Sequence, residues 1–407
     1  MYPKTIGAVV GITCAAMSVA FAPPAAAQPL DNPGVVAPDA DPFYAVPGDL
    51  AGLANGAILD SRPISASAGP VPLSTRAWQV KYKTLDTHDR PTATVATVLV
   101  PTAPWTGPGP RPLVSLQSAE DGVGLRCAPS LTLRGGGLLG GSLTDIVVQL
   151  PKLIERGWGV VVPDWEGPDS AFGSAPMAAH GVLDGIRAAR AFEPAGFAAD
   201  TPIGLWGYSG GGFASIVAAQ FQPSYAPELS FAGIAAGGAP GDERAVYHAA
   251  NGGPFGGAVP VLFVGISRGF PEARLESYLN DTGRRIVAES QTDCLPDAGA
   301  RNPGLDFGDS LNAEGVEKLM SLLWSNSPLA QPGVPESPMY LYHAVGDELV
   351  VYPPAKALVE RLCAAGVTVE HRADPGGEHL VEGALGADGA VDFLADRFAG
   401  RDAPSTC

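Results

Sequence analysis

Short, uninterrupted apolar runs alternate with amphipathic stretches along most of this chain, and no other feature limits its possible folds as strongly. Arg111–Ser118, Gly159–Pro163 and Pro202–Tyr208 read as strands, with Leu143–Arg156, Pro176–Phe192 and Gly211–Phe221 as the helices that follow them. After a looser stretch the alternation resumes with strand Met339–Ala344, helix Pro354–Ala364, strand Val367–Arg372 and a last helix near Ala387–Ala399. A strand that is apolar on both faces must be covered on both. The pattern therefore predicts an α/β fold, a mostly parallel central sheet with helices on both faces. Trp78–Leu85 and Thr92–Val100 alternate about a short polar turn instead, which predicts an antiparallel hairpin opening the sheet.

The 407 residues suit one large domain with an insertion, or two to three small ones. Residues 28–74, rich in Pro, Ala and Gly, read as an extended N-terminal arm. The sheet pattern then divides into residues 75–244 and 332–407. Between them residues 245–331, where Gly, Pro and Asn break up short apolar stretches, read as a helical cap inserted between two strands. No internal repeat is visible.

The N-terminus sets the expected compartment. Lys4, the apolar run from Ile6 to about Phe21, and Ala25-Ala26-Ala27 before Gln28 form a secretory signal pattern with cleavage after Ala27. The run is shorter than the roughly 20 residues a bilayer span needs, so no stable membrane anchor is expected. Gly11-Ile12-Thr13-Cys14 lacks the Leu-small-small sequence of lipoprotein sites. The full chain carries 42 acidic against 25 basic residues, a net charge of −17. Loss of Lys4 leaves 24 bases and 42 acids in residues 28–407, or −18. No basic stripe is present to neutralise phosphates, so no nucleic acid partner is expected. Only 16% of residues are charged and 46% are hydrophobic, which excludes a disordered acidic chain. Cys127, Cys294, Cys363 and Cys407 remain after cleavage, an even number that predicts two disulfides in an oxidising compartment, with three pairings open. Their spacing argues against metal binding.

Gly207-Tyr208-Ser209-Gly210-Gly211 fits G-x-S-x-G, in which a tight strand-to-helix turn projects a nucleophilic serine. The bare pattern is weak, and it occurs twice. Gly265-Ile266-Ser267-Arg268-Gly269 also follows an apolar run, Val259–Val264, and precedes a possible helix. Ser209 follows strand-helix units, and Gly210 offers a backbone N–H to an oxyanion more readily than Arg268 does. Ser267 is therefore read as cap structure. Chains built around this turn place the acid and then the histidine after the serine. Of His248, His343, His371 and His379, only the last sits in a glycine-rich loop beyond a strand, and it is the expected base. Asp347, past the end of strand Met339–Ala344, is the expected orienting acid, with Glu348 and Asp374 as competitors.

Several blocks, in order, resemble the secretory lipases of the fungal lipase A type and their actinobacterial relatives. They are Ser115-Leu116-Gln117-Ser118-Ala119-Glu120-Asp121 with Cys127-Ala128-Pro129-Ser130; Pro163-Asp164-Trp165-Glu166-Gly167-Pro168 with Ala171-Phe172; Gly207 to Gly212; Asp347-Glu348-Leu349-Val350; and Gly376-Gly377 with His379-Leu380. The resemblance runs from about Ala96 to Glu382. It implies an α/β-hydrolase core with a helical cap, a triad of Ser209, Asp347 and His379, and an oxyanion site made by the Gly210 N–H and Asp121. A carboxyl can donate to an oxyanion only when protonated, so that role requires Asp121 to be buried with a raised pKa. The resemblance also implies disulfides Cys127–Cys294, tying cap to core, and Cys363–Cys407, tying down the tail. In one departure, Glu378 stands between the glycine pair and His379, where relatives often have the histidine directly after glycine.

The expected activity is secreted hydrolysis of acyl esters through an acyl-serine, by a lipase or esterase that requires no metal or organic cofactor. The cap runs Val259–Val264 and Leu319–Trp324 either line an acyl pocket or form the cap's own core. At −18 the protein would be repelled by anionic membranes, so neutral lipid or soluble esters are the expected substrates. The alternatives are a secreted acyltransferase on the same triad, a peptidase, or a non-catalytic cell-surface binding protein on the same fold.

Overall fold

In the computed structural model of the chain, residues 35–136 and 145–407 are described. The expected signal segment, Cys14 and the start of the helix expected at Leu143 lie outside them. The strands are β1 (Ile58–Ile64), β2 (Ser67–Ala68), β3 (Val71–Pro72), β4 (Thr75–Leu85), β5 (Pro91–Pro101), β6 (Leu113–Gln117), β7 (Gly159–Pro163), β8 (Ile203–Tyr208), β9 (Gly233–Gly237), β10 (Met339–Ala344) and β11 (Val369–Asp374). Nine of them form one sheet in the order β1-β4-β5-β7-β6-β8-β9-β10-β11, and β2 pairs with β3 in a small ribbon. The expected hairpin is β4–β5, antiparallel from Thr75 opposite Pro101 to Leu85 opposite Pro91. From β7 onward every neighbouring pair is parallel. This is the α/β-hydrolase fold.

The apolar strands are covered as their composition requires, with every residue of β6, β7, β8, β9 and β10 buried. Helices Ala175–Ala191, Gly210–Tyr225 and Tyr352–Ala364 pack on one face. The Ser174 hydroxyl caps the first of them by accepting the Met177 N–H at 3.3 Å, and a proline in its first turn supplies a fixed φ where no N–H is needed. Leu150–Glu155 and Ala387–Phe398 cover the other face around Trp158, Trp206 and Tyr342. Each fully buried aliphatic side chain contributes about 1.5–3 kcal/mol over its exposed state, which is what holds helix to sheet on both sides.

Several elements depart from expectation. Leu143–Arg156 is not one α-helix in its described part: Asp145–Gln149 is a π-turn that passes into Leu150–Glu155. Ile58–Ile64, where no periodicity is legible, pairs with β4 as the edge strand. Between β9 and β10 the chain leaves the sheet and folds into helices Glu243–Ala250, Ala258–Gly269, Asp281–Glu289, Leu295–Arg301 and Ala313–Asn326 over a core of their own. Val259–Val264 belongs to helix Ala258–Gly269, within the inserted stretch where Ser267 is expected as cap structure. The four cysteines pair as Cys127–Cys294 and Cys363–Cys407.

Candidate active site

Strand β8 runs straight into helix Gly210–Tyr225, and Ser209 makes the turn with φ 55° and ψ −122°. A side chain at positive φ costs on the order of 1–3 kcal/mol and persists only where its surroundings hold it. Here the Ser209 N–H donates to the Gly237 carbonyl at 2.9 Å, and the neighbours are glycines because nothing larger fits. A Cβ on Gly207 would lie 2.1 Å from the Gly211 carbonyl oxygen, and one on Gly211 would lie 1.9 Å from that of Gln117.

The turn aims the serine at His379. Ser209 Oγ is 2.8 Å from His379 Nε2, and His379 Nδ1 is 2.6 Å from Asp347 Oδ2. Asp347 sits just past β10, and its other oxygen accepts the N–H groups of Leu349 (3.0 Å) and Val350 (2.7 Å). Burial works to raise its pKa, but the hydrogen bonds of His343 and His379 outweigh it and hold the carboxyl well below the usual carboxylate range. Asp347 is thus a buried anion with its lone pairs engaged, able to fix the imidazole tautomer and stabilise an imidazolium.

Residues the sequence reading set aside complete the cradle. His343 Nε2 is 2.6 Å from the Val350 carbonyl and 3.4 Å from Asp347 Oδ2, so it braces the acid rather than competing as base. Glu348 accepts the His379 N–H at 3.2 Å, and the Tyr208 hydroxyl donates to the His379 carbonyl at 2.6 Å. Asp374 pairs with Arg372 at the end of β11. His379 is not in a loop, as its glycine-rich surroundings suggest, but opens helix His379–Leu385. Glu378 explains the difference: its carboxylate caps that helix, accepting the N–H groups of Val381 (2.7 Å) and Leu380 (3.3 Å).

On the other side of Ser209 lies Asp121, itself at φ 40°. Its Oδ1 stands 1.9 Å from where a Cβ on Gly210 would be, so the glycine and the carboxyl share one space. Burial pushes the Asp121 pKa up to about 6 against the pull of His379, and among the described residues its buried Oδ1 has no hydrogen-bond partner. The Gly210 N–H beside it belongs to the first turn of its helix, where no intrahelical acceptor exists. An unpartnered carboxyl oxygen and the Gly210 backbone thus lie side by side among the described residues. Nearby Asp145, pushed up to about 7 by burial, accepts the Ala119 N–H at 2.6 Å.

Two clefts meet at Ser209. One, enclosing about 610 Å³, is walled by side chains such as Phe172, Phe213, Val246 and Leu262 and includes Gly210 but not His379. The other, about 1120 Å³, includes His379 with Tyr208, Phe255, Pro296 and Leu380. The cap runs divide between the two uses left open: Val259 and Leu262 line the first cleft, whereas Phe263, Leu319 and Leu323 are buried in the cap's own core. Ser267 lies inside helix Ala258–Gly269, with its hydroxyl donating to the Phe263 carbonyl at 2.7 Å. Among the described residues no group of His, Cys, Asp and Glu side chains is arranged to hold a metal ion.

Residues 138–406 match the model of the secretory lipase family. A Mycobacterium tuberculosis protein named a probable inactive lipase is 36% identical over 374 residues, covering 89% of this chain and 83% of its own. Lipase A of Arthroderma benhamiae is 33% identical over 404 residues, covering 93% and 83%. The X-ray structure of Candida antarctica lipase A superposes with a TM-score of 0.85 at 29% identity, over 91% of this chain and 88% of that one. With its sheet order, its serine turn and these relatives in agreement, the chain belongs to the secretory lipase family of serine ester hydrolases.

Proposed function

We propose that this chain is a secreted lipase or esterase that cleaves neutral acyl esters through a covalent acyl-serine on Ser209. The observation that carries the reading is the relay of 2.8 and 2.6 Å from Ser209 through His379 to Asp347, on a serine held at positive φ. In the first step His379 Nε2 takes the Ser209 proton as Oγ adds to the ester carbonyl. The Gly210 N–H and protonated Asp121 then donate to the oxyanion. As the tetrahedral adduct collapses, the acyl–oxygen bond breaks and His379 returns its proton to the departing alkoxide. Water, deprotonated by the same imidazole, attacks the acyl-serine, releases the carboxylic acid and restores Ser209.

The leaving oxygen must lie beside His379 to receive that proton. The larger cleft, which contains His379, therefore takes the alcohol, and the apolar cleft on the far side takes the acyl chain. Export is supported by the signal-like N-terminus, the two disulfides and the family itself. The excess of acidic residues favours neutral lipid or soluble esters over anionic membranes. The test is hydrolysis of a chain-length series of p-nitrophenyl esters by the processed protein. Activity that peaks at one acyl length and vanishes in Ser209→Ala is expected. A protein inert on every ester would align this chain with the name of its tuberculosis relative and restore the binding-protein alternative.

A further inference from the structure

The acyl cleft has one feature that a simple hydrocarbon chain does not explain. Helix Glu243–Ala250 turns Glu243, Val246, Tyr247 and Ala250 toward it, positions i, i+3, i+4 and i+7 of one helical face. Three of these suit an apolar wall. The fourth is a glutamate only 6% exposed, whose carboxyl makes no hydrogen bond among the described residues. A glutamate in a helix's first turn is ordinary when it faces water, where it offsets the helix dipole. This one faces the cavity, whose lining also includes Asp121 and Ser209. Burial, reinforced by Asp121 and Asp242, pushes its pKa up to about 8, so near neutrality it is largely a neutral acid with one O–H to donate and one carbonyl to accept. Leaving such a group unpaired against an apolar occupant is unfavourable, and a matching polar group on the occupant removes that penalty.

We propose that Glu243 determines acyl specificity by receiving an oxygen function, a hydroxyl or keto group, on the acyl chain of the ester. The proposal rests on Ser209 being the nucleophile and on the apolar cleft being the acyl side. A plain alkanoyl chain leaves the carboxyl unpaired, whereas an oxygenated chain of suitable position pairs it. Pockets that hydrogen-bond a substrate hydroxyl discriminate against the analogue lacking it far more strongly than apolar pockets discriminate by size.

The experiment measures kcat/KM by pH-stat for methyl octanoate and a set of methyl hydroxyoctanoates and oxooctanoates differing in the position of the oxygen. It uses the wild type, Glu243→Gln and Glu243→Leu. In the wild type at least one oxygenated ester is expected to exceed octanoate by ~10-fold or more. Glu243→Gln keeps a donor and an acceptor and should keep the preference. Glu243→Leu should reverse it, with octanoate rising and the oxygenated ester falling. A wild type that favours octanoate throughout overturns the proposal without any variant, and so does an equal preference in wild type and Glu243→Leu. Those results leave the hydrolase reading intact. Failure to cleave any ester removes both.

Discussion

The same five-residue pattern occurs at Gly207–Gly211 and at Gly265–Gly269, in backbones of opposite character. In the first, the serine closes a strand, sits at positive φ and points its hydroxyl at an imidazole. In the second, the serine is the tenth residue of a twelve-residue helix, and its hydroxyl is spent on the Phe263 carbonyl one turn back. The glycines differ as well. Gly207 and Gly211 clear the way for backbone within the turn, whereas Gly265 lets its helix lie against Phe172, whose carbonyl oxygen would be 2.4 Å from a Cβ there. The same letters thus take a tight turn beside an imidazole in one place and the interior of a helix in the other, and the letters alone do not decide between them.

The widest gap between the two sites should appear on Ser209→Ala, which is expected to cut kcat on a p-nitrophenyl ester by a factor on the order of 10⁵–10⁶. Retention of wild-type turnover would erase the distinction. Asp347→Asn should follow at ~10⁴-fold, because the amide fails to hold the Nδ1–H tautomer; circular dichroism would show the fold unchanged. Asp121→Ala should cost ~10²–10³-fold in kcat by removing one oxyanion donor. The proposed donor role requires a protonated Asp121, and burial pushes its pKa up to about 6, so its contribution should decline as pH rises through that value. Asp121→Asn, a permanent donor, should restore most of the activity and flatten that alkaline decline. An unchanged profile in Asp121→Asn would remove the carboxyl from the oxyanion site.

The buried carboxyls gathered around the first pentapeptide also make a stability prediction. Asp121 is raised to about 6, and Asp145 and Asp164 to about 7. Between pH 4 and 7 the folded state therefore holds more protons than the unfolded chain, and stability falls as pH rises. The depressed Asp347 acts in the opposite sense, but only at pH values below its ordinary range. Tm should be higher at pH 5 than at pH 8 by roughly 5 °C; a scan that rises instead would contradict the burial of these acids. The smallest effect belongs to the second pentapeptide. Ser267→Ala should leave kcat within about twofold and stability within ~0.5 kcal/mol.

What could be read in advance follows from where the information is local. Strands β6, β7 and β8 declare themselves because burial on both faces demands unbroken apolar residues. The β4–β5 hairpin declares itself through its alternation and turn. Strand β9, Gly-Ile-Ala-Ala-Gly, escaped because its small residues serve close packing against Tyr342 and helix Gly210–Tyr225 rather than any strand propensity. Helix Ala258–Gly269 is apolar nearly all round, so its helical periodicity is not visible, and Ser267 is assigned to the cap by context and not by pattern. The residues now brought together, Ser209, His379 and Asp347, were reached by motif, elimination and strand position. Asp121 came only through family resemblance, and Glu348, Tyr208 and Glu243 depend on tertiary contacts that no spacing encodes. Glu378, an interruption of the glycine–histidine pattern in the sequence, caps the helix that begins with His379.

The Cys127–Cys294 bond closes a ring spanning a sequence separation of 167 residues, with Ser209 inside it. A protease that clips any loop between those two cysteines therefore opens the ring without parting the molecule. The cut ends stay attached to the segment that carries Asp121 on one side and to the inserted helices on the other, where the Val123 N–H meets the Asp293 carbonyl and the Leu295 N–H meets that of Asp121. Nicked protein would separate into fragments only after reduction.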